Sequence, residues 1–185
     1  MNSFYLFEAS ISVGLGHFSR AVSFAKSLRK NGYNCTLITL EKTLFNKKLF
    51  NIIEKNNINF KNFINLNYFE EFLKKNKIDY VILDFSNKKF NQEDRLVELI
   101  NKYSSLVCID DITKRRLKAK FNFYPPIDWI KNESWINFKG ENYYGMEFTI
   151  LKPELETLRE KNKYTSKNKY KFCITIGGSD PNLIS

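Results

Sequence analysis

Apolar residues in this chain fall into two alternating patterns. Some form short continuous runs, and between them apolar positions recur every three or four residues. The run Phe4-Tyr5-Leu6-Phe7 reads as a first strand. Ala21, Val22, Ala25 and Leu28 then recur at helical spacing, which predicts a helix over 21–30 that ends at the cap-and-turn pair Asn31-Gly32. The alternation continues with a strand over 33–40 and an amphipathic helix over 43–56 carrying Leu44, Phe45, Leu49, Ile52 and Ile53. A short strand at 58–60 and a helix over 68–76 with Phe69, Phe72 and Leu73 on one face follow.

Tyr80-Val81-Ile82-Leu83-Asp84 and Leu106-Val107-Cys108-Ile109-Asp110-Asp111 are near-continuous apolar runs ending in acids, separated by a helix over 92–103. Such runs suit central strands of a parallel sheet covered on both faces. Strand and helix in alternation predict a Rossmann-like, doubly wound α/β fold. Parallel order would bring the loop at 11–17, the Asp84 end and the Asp110-Asp111 end to one edge of the sheet, where such folds bind ligands.

From 112 to 149 the pattern is irregular, with Pro125-Pro126, an aromatic-rich stretch from Trp129 to Tyr144 and a strand near 142–148. Trp129 and Trp135 read as packing residues. Leu155 and Leu158 mark a short polar helix, and 161–171 is charged and reads as a linker. Phe172-Cys173-Ile174-Thr175-Ile176 is again a strand, feeding Gly177-Gly178-Ser179-Asp180. The expected organisation is therefore a domain over 1–160, a linker over 161–171, and the opening of a second domain over 172–185, cut short where the chain stops.

Composition narrows the chemistry. The formal net charge is +10, but the lysines are dispersed and interleaved with asparagine, so they read as a solvated surface; no nucleic-acid-binding motif accompanies them. No apolar run is long enough for a membrane span, and no signal peptide is evident, which points to the cytoplasm. Cys35, Cys108 and Cys173 are widely spaced in apolar runs and read as core residues; neither metal spacing nor a disulfide framework is present.

The chain's one histidine lies in Gly14-Leu15-Gly16-His17-Phe18-Ser19-Arg20, between the first strand and the first helix. Glycines admit a ligand close to the backbone, and free amides at a helix start favour an anion such as a diphosphate. An imidazole there suits proton transfer. Ser19 occupies the third glycine position of the dinucleotide fingerprint, which argues against a nicotinamide cofactor, and no P-loop lysine is present. Gly177, Gly178, Ser179 and Asp180 form a second glycine loop suited to phosphate. The residues alone leave Asp110 and Asp111 divided between substrate contact and loop capping, and Arg20 between loop bracing and phosphate contact.

Gly14-Leu15-Gly16-His17-Phe18-Ser19-Arg20, Leu83-Asp84, Ile109-Asp110-Asp111, Tyr144-Gly145, Ile150-Leu151-Lys152 and Ile176-Gly177-Gly178-Ser179-Asp180 occur in an order and spacing that resembles the UDP-sugar hydrolases of pseudaminic acid biosynthesis. The resemblance implies the first half of a glycosyltransferase-B-like, two-domain architecture. It implies hydrolysis of a UDP-linked diacetamido-trideoxyhexose by water attack at the anomeric carbon, without cofactor or metal. His17 takes the catalytic position; Gly14, Leu15, Gly16, Arg20 and Asp84 fall on the substrate side, and Gly177 to Asp180 on the nucleotide side. Asp84-Phe85-Ser86 stands where the family has Asp-x-Tyr. Two alternatives accompany this reading: a glycosyltransferase-B domain, and a non-catalytic module whose cleft is completed by a missing domain or a partner chain.

Overall fold

The computed structural model describes residues 1–8, 15–40, 47–86, 92–126 and 128–155. Seven strands form one sheet: β1 (Asn2–Phe7), β2 (Asn34–Leu40), β3 (Asn59–Phe63), β4 (Tyr80–Asp84), β5 (Ser105–Ile109), β6 (Phe121–Tyr124) and β7 (Glu141–Tyr144). Their order is β3-β2-β1-β4-β5-β6-β7, and every neighbouring pair is parallel. Four helices connect the first five strands: α1 (Gly16–Lys30), α2 (Lys47–Lys55), α3 (Leu66–Lys75) and α4 (Glu93–Tyr103). The Rossmann-like, doubly wound α/β class read from the sequence is the observed one.

Side chains alternate across each strand, and each face has its own core. Phe4, Leu6, Val81, Leu83, Leu106 and Cys108 meet α3 and α4 through Phe69, Leu73, Leu96 and Ile100. Tyr5, Phe7, Leu37, Ile82, Val107 and Ile109 meet α1 and α2 through Phe18, Ala21, Ala25, Leu49 and Ile53. Burial on both faces is why the central strands read as unbroken apolar runs rather than alternating ones.

The local signals act where expected. Gly32 sits at φ +76, and the amides of Gly32 and Tyr33 bond the carbonyls of Arg29 and Leu28, closing α1 in a Schellman turn. Asn65 caps α3 by accepting from the amides of Asn67 and Tyr68 at 3.0 and 3.2 Å.

Boundaries differ from expectation in several places, β3 running on to Phe63 and α3 starting at Leu66 among them. Helix α1 begins at Gly16 rather than 21, so His17 and Arg20 lie in its first turns. The strand expected near 142–148 spans Glu141–Tyr144 and gives way to a tight helical turn at Met146–Phe148. Strand β6 lies within the stretch read as irregular. Its sequence, Phe121-Asn122-Phe123-Tyr124, is short and carries a polar residue, but Asn122 is fully buried and donates to the Arg116 carbonyl and to Asn142 Oδ1, both at 3.0 Å. Acceptors outside the strand thus take the side-chain N–H groups of what looked locally like a break, and its buried Oδ1 has no partner among the described residues. The expected linker over 161–171 and second-domain opening over 172–185 lie outside the described residues.

Candidate functional site

The strand order reverses direction between β1 and β4: the chain builds β1, β2 and β3 to one side, then returns to place β4 against the other edge of β1. In open α/β sheets the ligand crevice lies at such a switch point, outside the carboxyl ends of the strands. Asp84 is the last residue of β4, in register with Phe7, the last of β1. Helix α1 begins above the same edge and carries His17 and Arg20.

These residues converge on one carboxylate. Asp84 is completely buried and takes four contacts. Tyr5, one strand away, donates its hydroxyl to Oδ2 at 2.7 Å. His17 Nδ1 lies 2.7 Å from Oδ1. Arg20 donates through Nε to Oδ2 at 2.8 Å and through Nη2 to Oδ1. The Arg20–Asp84 pair is therefore the bidentate fork that fixes geometry as well as charge.

The tautomer of His17 follows from these contacts. An unprotonated Nδ1 would set its lone pair against a carboxylate oxygen, so Nδ1 carries the proton and donates to Asp84. Arg20 Nη2, 3.2 Å from the same nitrogen, then faces another N–H, and that approach is not a hydrogen bond. With Nδ1 occupied, Nε2 is the nitrogen left for a ligand, held in orientation as the triad carboxylate orients its imidazole. The His17 side chain is partly exposed.

Charge states reinforce the arrangement. Burial alone would raise the Asp84 carboxyl, but the hydrogen bonds from His17 and Arg20 outweigh it and hold the group below the ordinary carboxylate value. Burial works against the Arg20 charge too, and Asp84 more than offsets it, so the guanidinium stays protonated. Tyr5 is driven the other way: burial first, then the Asp84 anion, push its phenol well above the usual range. It remains a donor.

Two successive aspartates after β5 have separate tasks. Asp110 adopts the left-handed region at φ +53 and turns its carboxylate toward α1, 3.8 Å from Arg20 Nη1. It is one third exposed, and burial followed by the neighbouring Asp84 charge raises its carboxyl, with Arg20 opposing. Asp111 is buried and structural. It accepts from the Thr113 amide and hydroxyl at 2.7 Å each, and from Arg115 Nε at 2.6 Å. Arg115, itself buried, reaches on to Glu93 at the start of α4 (3.2 Å) and to the Ser86 carbonyl (2.8 Å), while the Ser86 amide donates to Glu8 after β1 at 2.9 Å. The carboxyl ends of β1, β4 and β5 are thereby tied into one rim.

Of the residues singled out in the sequence, His17, Arg20 and Asp84 come together here. Leu15 precedes α1 with an exposed side chain, its carbonyl accepting from the Ser19 amide, and Gly16 opens the helix. Gly14, Gly177, Gly178, Ser179 and Asp180 lie outside the described residues. Trp135 packs against Tyr124, Phe138 and the Arg116 guanidinium, as expected of a packing residue, whereas Trp129 is half exposed. Cys35 and Cys108 are buried free thiols. Tyr5 escaped sequence reasoning. The available signal was a hydroxyl inside an otherwise apolar central strand, where it needs a buried partner. Among the described residues no group of three or more His, Cys, Asp or Glu side chains is placed to hold a metal, and no helix is long and apolar enough to cross a membrane.

Fold and site together define a Rossmann-like α/β unit with its polar constellation at the switch point. The chain is similar in fold to a glycosyltransferase from Rickettsia africae ESF-5, at 16% identity and a TM-score of 0.52, over 86% of this chain and 48% of that one. It thus spans about half the length of that structure. A yeast protein, ynu0 (YNL200c), aligns over 68% of this chain and 58% of its own, at 14% identity and a TM-score of 0.48. No family model and no curated protein matches the sequence.

Proposed function

We propose that this chain supplies the sugar-side half of an enzyme that cleaves a nucleotide-linked sugar, with His17 as general base. The observation that carries the proposal is the Asp84–His17 contact, which commits Nδ1 and leaves Nε2 to take a proton. In the hydrolytic reading Nε2 removes a proton from water as the water oxygen bonds to the anomeric carbon. The bond from that carbon to the diphosphate oxygen breaks, and its electron pair leaves with the nucleotide. Asp84, already ionised, stabilises the imidazolium that forms. UDP is a good leaving group, so a positioned base contributes most of what is needed. The proposed substrate is a UDP-linked diacetamido-trideoxyhexose, in keeping with the sequence resemblance, and the proposed setting is cytoplasmic. Gly177 to Asp180 would serve the nucleotide from a second domain beyond the 161–171 linker.

A second reading is favoured by the fold likeness to a glycosyltransferase: the same base would deprotonate a sugar hydroxyl rather than water. UDP release by the full-length protein, with and without a sugar acceptor, separates the two. Release without acceptor supports the hydrolase; release only with acceptor supports the transferase. His17→Asn should lower turnover by about 10²- to 10⁴-fold in either case. Wild-type turnover in that variant would remove His17 from the chemistry.

A further inference from the structure

Asp84 cannot itself meet a ligand, because it is buried and its two oxygens already receive Tyr5, His17 and both donors of Arg20. Asp110 is different. Its carboxylate is one third exposed, and among the described residues its ionic contact is Arg20 Nη1 at 3.8 Å, too long for a hydrogen bond. Part of its acceptor capacity is therefore unused among the described residues, at the carboxyl end of β5 beside the switch point.

The backbone holds it there at a cost. A non-glycine residue at φ +53 holds a strained backbone. The turn persists because both sides are anchored: the Asp110 amide donates to the Phe123 carbonyl at 2.9 Å, and Asp111 is locked by Arg115 and Thr113.

Charge then selects the ligand part. Arg20 is the cation between two carboxylates, so these three groups sum to one negative charge. The α1 start contributes only about half a positive charge, which does not cancel it. A phosphate beside Asp110 would meet the net negative charge of this group and be repelled. A neutral group rich in O–H and N–H donors meets an open acceptor instead.

We infer that Asp110 holds the glycosyl group of the ligand, its carboxylate accepting from a sugar hydroxyl or acetamido N–H, with the diphosphate kept away from this end of the crevice. The inference rests on the nucleotide-sugar reading. Asp110→Asn is the suitable variant, since asparagine tolerates the left-handed backbone and keeps the shape while removing the charge. The probes are UDP-N-acetylglucosamine and UDP, titrated separately into the protein, with affinity read by calorimetry and contact read by amide shifts at residues 15–20 and 105–113. In the wild type the sugar nucleotide should shift these amides and UDP should not. Asp110→Asn should weaken the sugar nucleotide by about ten- to a hundredfold, the worth of one charged hydrogen bond, and leave UDP unaffected or tighter. An unchanged affinity for the sugar nucleotide, or an equal loss for both probes, overturns the role of Asp110 alone. Absence of any shift at these residues in the wild type overturns the nucleotide-sugar reading, and this inference with it.

Discussion

Replacing Asp84 by asparagine tests the centre of the site through stability rather than activity. The substitution keeps the volume but puts an amide where two oxygens accepted four donors. At least one N–H of Arg20 or His17 then faces another donor, and the Arg20 charge loses its partner. Removing one member of a buried ion pair costs about 3–5 kcal/mol. Arg20 is one quarter exposed and has Asp110 nearby, so the low end, about 3 kcal/mol, applies. With a urea m-value of roughly 2 kcal/mol/M, the unfolding midpoint should fall by about 1.5 M. Tyr5→Phe removes one donor from a carboxylate that keeps three, and should cost nearer 1.5 kcal/mol, about half as much. The sign of the pH dependence follows from the lowered Asp84 carboxyl. Its contribution is complete above its ordinary value of 3.8 and is lost as pH falls through its lower folded value. The gap between wild type and Asp84→Asn should therefore be constant near neutrality and close in acid below that range. A midpoint shift under about 0.5 M, or a gap that widens in acid, would refute the ion-pair account.

Two further outcomes bear on neighbouring features. A β-carbon on Gly16 meets no described atom within 4 Å, so Gly16→Ala should raise stability by about 0.5–1 kcal/mol through helix propensity; impaired binding or turnover in that stabilised variant would mark the glycine as a ligand approach. Burial pushes the Cys35 thiol up to about 11 and raises Cys108 as well, so in a Cys173→Ser background both should resist dithionitrobenzoate in the native state and react only on unfolding, and rapid native labelling would contradict their placement.

The legibility of this fold in its sequence has a physical basis. Strands buried on both faces are apolar at every position, so β1, β4 and β5 stand out without an alternating signal. β6 does not, because the buried amide N–H groups of Asn122 find their acceptors, the Arg116 carbonyl and Asn142 Oδ1, outside its own segment. The same distinction runs through the site. His17 and Arg20 are conspicuous as neighbours of a glycine loop, and Asp84 as an acid ending an apolar strand. That they share one carboxylate with Tyr5, 64 to 79 residues apart in the chain, is a consequence of β1–β4 pairing that no local pattern carries. Asp110 and Asp111 are identical in type and adjacent. What separates them is the left-handed turn at the first, which sends the two carboxylates to different sides.

That pair of aspartates has a corollary. The second binds Arg115, which in turn holds Glu93 and the Ser86 carbonyl, so the rim is anchored through it. The carboxylate of the first makes only the 3.8 Å contact with Arg20 Nη1 among the described residues, and asparagine would tolerate its left-handed backbone. If Asp110 holds the sugar as proposed, single substitutions there would change what is recognised while leaving the Asp111–Arg115 anchor of the rim in place.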